Sequence, residues 1–363
     1  MKITVLVGNG FDISLGVKSS YGDFYKWYCD LPSDVEHIAS FRKNIKEEML
    51  SDIPDEERTW ADFEVGLGKY TANFTKETAE DFLDCYEDAQ ENVREYLLEQ
   101  ENAFDPLGFS VGTFEKFPIS VCEFFEEVTD LDKLAINSML NSYRDQDREI
   151  TFVTFNYTRT LEKILQEMAR TKDLANLRSW RYQSTAYWYK LNQNIIHIHG
   201  TLDNFPVLGV NDDTQIANKE LLQTPEFKEL LIKSENVKAL GKLWHNKAEE
   251  QISSSKFVCI LGASLGETDA KWWRKLAQWL KADVNRRIIL YWFVKQSPGN
   301  VSARKQLRSV NRAKEKLLSY STMTEEEKSA LKNRIHVVIN TKKFMHLEAP
   351  IDFPVKEEEV ATT

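Results

Sequence analysis

The chain is poor in most features that would assign a function at sight. Only four of its 363 residues are cysteine: Cys29, Cys85, Cys122 and Cys259. They are scattered and form no CxxC pair, which argues against a zinc ribbon or a thioredoxin-like redox site and for free thiols. Long apolar runs are also missing. The stretch IILYWFV, Ile288 to Val294, is far too short to cross a bilayer. The opening MKITVLVGNGF holds a five-residue apolar run, too short for the core of a secretion signal. A cytoplasmic protein without a membrane partner is therefore expected. Basic charge is scarce too, with a formal net charge of −10. Between Phe41 and Gln100, 17 Asp and Glu stand against 7 Lys and Arg, so the remainder is close to neutral. Nucleic acid is not the expected partner, because phosphate neutralisation needs a basic face. The acidic stretch reads as a solvated helical surface.

What is present is an alternation of buried strands and helices. Ile3–Val7 is a continuous apolar run closed by glycine, the pattern of a strand covered on both faces of a parallel sheet. Ile150–Phe155, Ile195–His199, Phe257–Leu261, Ile288–Val294 and Ile335–Ile339 share its character. Helical patterns follow several of them, as in TRTLEKILQEMART and AKWWRKLAQWLKADV. This alternation predicts an α/β fold with a doubly wound, mostly parallel sheet. The interval 19–148 is too long for a βα connection and reads as a large helical insertion, exemplified by residues 77–104. A second helical stretch spans 218–253. The expected division is a core of residues 1–18 and 149–345, the insertion 19–148, and a tail 346–363 whose polar end KEEEVATT frays.

Four stretches at strand ends carry chemistry. In VLVGNGFDISLG, Gly8 and Gly10 lie where a strand hands over to a helix, a place where backbone amides can approach a pyrophosphate. The hydride-transfer fingerprint GxGxxG fails at Ile13. GNG by itself fits a structural turn as well as a nucleotide cradle. In TFNYTRTLEKIL, Asn156 falls just past a strand, where an amide can serve a ribose hydroxyl, a carboxamide or a water. For a lone Asn-x-Thr, a cap on the next helix by Asn156 or Thr158 is the first reading. In IIHIHGTLDN, His197 and His199 share a strand face; His199, nearer the end, is the better candidate for a general base or an oriented donor. No HExxH helix or cysteine cluster supplies further ligands, so no metal is expected. In LGASLGETDAKWW, Gly262 and Ser264 could touch phosphate or ribose, Glu267 and Asp269 suit a helix N-terminus, and Trp272 and Trp273 read as packing.

The order of these motifs is more informative than any one of them. Gly8-Asn9-Gly10, then Thr154-Phe155-Asn156-Tyr157-Thr158, then His199-Gly200, then Gly262-Ala263-Ser264-Leu265 resembles the sirtuin series GAG, TQNID, HG and GTSL. Over most of the chain, GNGFDISLGVKSSYGDF, WADFE (Trp60 to Glu64), FNYTRTLE and HIHGTLDNFPVLGVND resemble the AbiH family of bacterial abortive-infection proteins. The resemblance implies a Rossmann-like, sirtuin-like fold and an antiviral effector that hydrolyses NAD at the nicotinamide–ribose bond. NAD would be the substrate, His199 the catalytic histidine and Asn156 the asparagine beside the ribose. Gly8, Asn9, Gly10, Gly262 and Ser264 would line the pyrophosphate and adenosine side. The aspartate of the sirtuin NID motif is Thr158 here, and Asp12, just after the glycine turn, either replaces its charge or caps the first helix. The zinc module of protein deacylation is missing. The alternative is a sensor that binds NAD or an ADP-ribose-type nucleotide without cleaving it. A third reading, a metal-dependent nuclease or nucleotide hydrolase, would rest on Asp203, Asp212 and Asp213, which look more like turn residues. The further partners expected are a phage-derived trigger or a companion defence protein, and a second copy of the chain.

Overall fold

A computed structural model describes residues 1–44, 59–109, 111–204, 206–295 and 302–347. The frayed end expected at 356–363 lies outside the described residues. An eight-stranded, mostly parallel sheet forms the centre. Its strands are β1 (Lys2–Val7), β2 (Arg148–Thr154), β3 (Arg178–Tyr182), β4 (Thr185–Leu191), β5 (Ile196–His197), β6 (Ser255–Leu261), β7 (Arg287–Trp292) and β8 (Ile335–Ile339). The spatial order is β3-β4-β2-β1-β6-β7-β8, with β5 also paired to β2. β3 alone runs antiparallel to its neighbour. The chain winds outward from β1 through β2 to β4, then crosses to β6 on the other side of β1, so the winding direction reverses at β1/β6. Ligands of open α/β sheets sit at such a reversal, outside the carboxyl ends of the strands.

The apolar runs form strands because both faces are covered. Ile3, Val5, Val7, Phe152, Phe257, Cys259 and Ile289 enter one apolar cluster, while Leu6, Val153, Val258, Ile260, Ile288 and Leu290 enter another. Alternate side chains of a strand point to opposite faces, so each run feeds two cores. The first face is packed by α6 (Val111–Cys122), α7 (Asp130–Asn141) and α8 (Thr160–Ala169); the second by α11 (Trp244–Ser254), α12 (Ala270–Ala282), α13 (Ala303–Ser319) and α14 (Glu325–Lys332). In α12, Trp272, Trp273, Leu276, Ala277 and Leu280 make the stripe that meets the sheet. Trp272 and Trp273 pack as expected, and burial of such side chains contributes roughly 1.5–3 kcal/mol each.

A third cluster is helical and rich in aromatic rings. It joins α2 (Tyr21–Tyr28), α3 (Glu36–Asn44), α4 (Trp60–Tyr70) and the long α5 (Ala79–Ala103) to residues from Leu202 to Ile232, including α9 (Pro225–Leu231). Tyr21 stacks on Phe63 at 5.1 Å and Phe24 on Tyr28 at 5.0 Å. The short α1 (Gly10–Ser14) leads into it, and α10 (Lys233–Ala239) leads out towards α11. Both contributing segments leave the sheet from carboxyl ends, those of β1 and β5. The helices of 19–148 thus divide: α2–α5 build this layer, whereas α6 and α7 cover the sheet itself.

Two local expectations change. Only Ile196–His197 of the third run is strand, because β4 already occupies β2 at Arg148–Ile150 and leaves β5 only Val153–Thr154. The chain then turns at Gly200 (φ +77°), and the Val207 N–H returns to the His199 carbonyl at 3.0 Å. The β3–β4 hairpin was not legible in RSWRYQSTAYWYKL, whose charges and aromatic rings alternate without a continuous apolar run. It is an edge hairpin on which the Arg148 guanidinium stacks, 4.4 Å from the Trp180 ring centre.

Candidate active site

The glycine turn and the loop after β6 are pressed together. The Gly8 N–H donates to the Leu261 carbonyl and the Gly10 N–H to the Gly262 carbonyl, each at 2.8 Å. A Cβ on Gly8 would lie 2.7 Å from Ala263 Cα, and one on Gly10 2.8 Å from Gly262 Cα. Gly262 itself has φ +70°, and a Cβ there would meet the Phe11 nitrogen at 2.5 Å. These glycines are required by the contact between two loops, and the amide donors of Gly8 and Gly10 are spent on it. The Asn9 side chain is likewise engaged, donating to the Ser19 carbonyl and accepting from the Ser19 hydroxyl, both at 2.7 Å. Ser264 is exposed, and Leu265 after it is buried with φ +53°, a left-handed conformation that costs a non-glycine residue roughly 1 kcal/mol or more.

Asp12 is wholly buried at the centre of the turn. Its carboxylate accepts from the hydroxyls of Thr158 and of Thr160, the latter at 2.5 Å, and is also bonded by the Asn156 side chain. Burial pushes its pKa up to about 6, and these three bonds oppose the shift. Neither Asn156 nor Thr158 caps α8, whose N-cap position is Arg159. Thr158 instead donates its hydroxyl to the Asp12 carboxylate. Asn156 is buried, and its Oδ1 has no hydrogen-bond partner among the described residues. Its backbone carbonyl accepts from His197 Nδ1–H at 2.9 Å, while His197 Nε2 is bonded to Glu162 at 2.5 Å. His197 is therefore a clamp on the Asn156 loop.

His199 occupies a different electrostatic setting. It is buried and bonded through Nε2 to Asp269 Oδ1 at 2.8 Å. The Lys233 ammonium donates to the same Asp269 oxygen at 3.2 Å and to Glu64 Oε2 at 2.8 Å. Burial raises the Asp269 carboxyl, but Lys233 and His199 outweigh it and hold the group well below the usual carboxylate range. Asp269 is thus ionised and can only accept, which puts the proton on His199 Nε2. Burial, then Lys233, lowers the His199 pKa despite Asp269. The ring is neutral, with its lone pair on Nδ1, and Nδ1 has no hydrogen-bond partner among the described residues. Glu64 is pushed up by burial and pulled back by Lys233.

Four elements meet here: the loop after β5 (His199), the N-cap of α12 (Asp269), the start of α10 (Lys233) and α4 (Glu64). α4 reaches the site because Gly68 lets it close on residue 215, where a Cβ would lie 2.3 Å from the Gln215 carbonyl oxygen. A small cavity adjoins His199, lined also by Lys233, His245, Asp269, Lys271 and Trp272. The tryptophan ring stands edge-on to His245 at 5.2 Å. Of the carboxylates that a metal-dependent site would use, Asp203 pairs with Arg159 at 2.5 Å and Asp212 accepts from the Thr214 amide at 3.1 Å.

Residues 4–292 match the family described as Bacteriophage abortive infection AbiH. The chain belongs to the AbiH family. The match begins in β1, ends in β7 and contains every site residue named above, from Gly8 to Asp269; α13, α14 and β8 lie beyond it. No curated protein matches the chain. Membership in this family carries a role in abortive infection by bacteriophage. Among the described residues, no helix is long and apolar enough to cross a membrane.

Sequence reasoning did not find Asp269, Lys233 or His245. Asp269 looked sufficient as a helix-start residue, and it does hold the N-cap position of α12, yet its carboxylate makes no cap hydrogen bond and turns to His199 and Lys233. Glu64 is within reach, since it ends the WADFE stretch that carries part of the AbiH resemblance. Lys233 and His245 stand in helical sequence whose charges read as surface, and nothing in the pattern marks them.

Proposed function

We propose that this AbiH protein is an NAD glycohydrolase, restrained until infection, whose catalytic base is His199. The observation that carries the reading is the His199–Asp269 pair. A carboxylate fixes the tautomer of a neutral, buried imidazole and leaves an Nδ1 lone pair, unpartnered among the described residues, at the carboxyl edge of a doubly wound sheet. Supporting it, the parallel strands other than the two-residue β5 lie in the order β4-β2-β1-β6-β7-β8, and counted along the chain as 3-2-1-4-5-6 that order is shared with dinucleotide-binding sheets. The Asn156 amide, whose Oδ1 has no partner among the described residues, stands at the end of the adjacent strand.

In the reaction, the bond from ribose C1′ to the nicotinamide nitrogen breaks, its electron pair leaving with nicotinamide. A water oxygen bonds to C1′, and the proton it releases passes to His199 Nδ1. The products are nicotinamide, ADP-ribose and a proton. Positive charge grows on the ribose in the transition state, as in other glycoside cleavages. General-base assistance of this kind supplies about 10²–10⁴-fold. Asn156 positions the ribose or the water, and the Asp12 carboxylate behind Thr158 favours the developing cation. Ser264 faces the pyrophosphate and adenosine side, while Gly8, Gly10 and Gly262 contribute the shape of the crevice rather than donors.

His199 and Asn156 are both buried. A nucleotide therefore reaches them only after the helical layer moves, and the Glu64–Lys233–Asp269 chain is the tie that must yield. Release of that tie by a phage-derived trigger, a partner protein or self-association would confine NAD loss to infected cells. The test is NAD content in infected cells expressing the wild type or His199→Ala at equal level. Depletion in the first and none in the second is expected; equal depletion, or none in either during a protective response, would remove the reading.

A further inference from the structure

A second histidine at the same cavity has no role so far. His245, on α11, is buried, and its Nδ1 faces the Lys271 ammonium at 3.2 Å. An ammonium can only donate, so His245 Nδ1 accepts and the ring proton of the neutral imidazole sits on Nε2. That Nε2–H is a buried donor without a hydrogen-bond partner among the described residues. His199 presents the complement, a buried Nδ1 acceptor likewise without a partner among the described residues. Both residues line one cavity, with room for about one water-sized group. Their ring centres are 6.4 Å apart and nearly perpendicular. One oxygen, hydrogen-bonded to each ring at about 2.8 Å, can span that separation. Leaving a buried donor and a buried acceptor unpaired is costly, and one hydroxyl satisfies both.

We propose that His245 and His199 form a hydroxyl-binding pair, in which His245 Nε2–H donates to, and His199 Nδ1 accepts from, a single oxygen. Identifying that oxygen as the water that attacks ribose rests on the NAD-hydrolysis reading above; the pair itself does not. During attack His245 would hold the oxygen while its proton leaves to His199. His245 is then a second catalytic residue, supplied by α11 and outside the strand-end motifs.

The experiment combines long-range ¹H–¹⁵N spectra of the histidine side chains, on wild type, His245→Phe and His245→Gln, with kinetics on the same three proteins carrying Glu64→Gln to loosen the tie. Both rings should be Nε2–H tautomers in the wild type, and His245→Phe should shift the His199 Nδ1 resonance. Nicotinamide release should fall roughly 10- to 100-fold in kcat for His245→Phe, with KM little changed. His245→Gln, which keeps an N–H donor, should stay within about fivefold of wild type. An Nδ1–H tautomer at His245, or a His245→Phe enzyme with wild-type kcat, overturns the pair and leaves NAD hydrolysis standing. No nicotinamide release from the wild type or after Glu64→Gln loosens the tie, with both tautomers as expected and the His199 resonance sensitive to residue 245, sinks the NAD reading and keeps the pair.

Discussion

Replacing Asp12 by Asn isolates the energetic cost of the buried carboxylate at the glycine turn. Burial raises the Asp12 pKa from 3.8 to about 6 in the folded protein. The folded state therefore holds this proton more tightly than the unfolded chain. Asp12 contributes stability that is complete below about pH 3.8 and lost as pH rises through about 6. At about 1.4 kcal/mol per pKa unit, the loss amounts to about 3 kcal/mol. Asparagine does not titrate, and its amide can still pair with the Thr158 and Thr160 hydroxyls, which rotate to accept or donate. The stability difference between wild type and Asp12→Asn should thus move by about 2 kcal/mol in favour of the variant between pH 4 and pH 7, the part of that loss falling in this range. Urea unfolding of both proteins across that range measures it, and other titrating groups cancel in the difference. Parallel profiles would show that Asp12 ionises as an ordinary carboxylate, and the buried hub around it would have to be abandoned.

Three further outcomes follow from named contacts. Gly262→Ala should lower stability by roughly 2–4 kcal/mol, because its Cβ would enter the Phe11 nitrogen at a left-handed φ; an unchanged melting temperature would deny the loop contact. Lys233→Met strands Glu64 and Asp269 without their shared cation, at a cost of roughly 3–5 kcal/mol, and should raise the His199 pKa. Adding Glu64→Gln should recover part of that loss, and strict additivity of the two changes would refute the coupling. Arg42→Met removes the guanidinium that binds Asp88 at 2.5 Å and the Leu31 and Pro32 carbonyls at 3.0 Å, and should cost roughly 2–4 kcal/mol by urea unfolding. An Arg42→Met protein as stable as wild type would show that α3 and α5 are held by their apolar contacts alone.

The parallel sheet was legible because strands buried on both faces are predominantly apolar, with few polar residues such as Thr4, Thr151 and His336 among them, and five of the six runs appear at their expected places. The sixth, around His197, shrank to two residues since pairing space on β2 is a tertiary matter that no local pattern records. The β3–β4 hairpin escaped for the opposite reason: an exposed edge does not demand apolar side chains. Of the site, the strand-end residues Asn156, Thr158, His199 and Gly262 were visible because glycines and polar groups interrupt apolar sequence there. Asp269 and Lys233 were not. A charge inside an amphipathic helical segment looks solvated until the fold brings an opposite charge to it. The glycine turn was half legible: its small residues are needed, but for contact with the β6 loop through donors that a cradle would have kept free.

The most direct measurement is product analysis on the purified chain incubated with NAD, alone and after loosening the tie with Glu64→Gln. Equimolar nicotinamide and ADP-ribose, abolished by His199→Ala and Asp269→Asn, is the expected result. Intact NAD in every sample, or release that persists without His199, would contradict it.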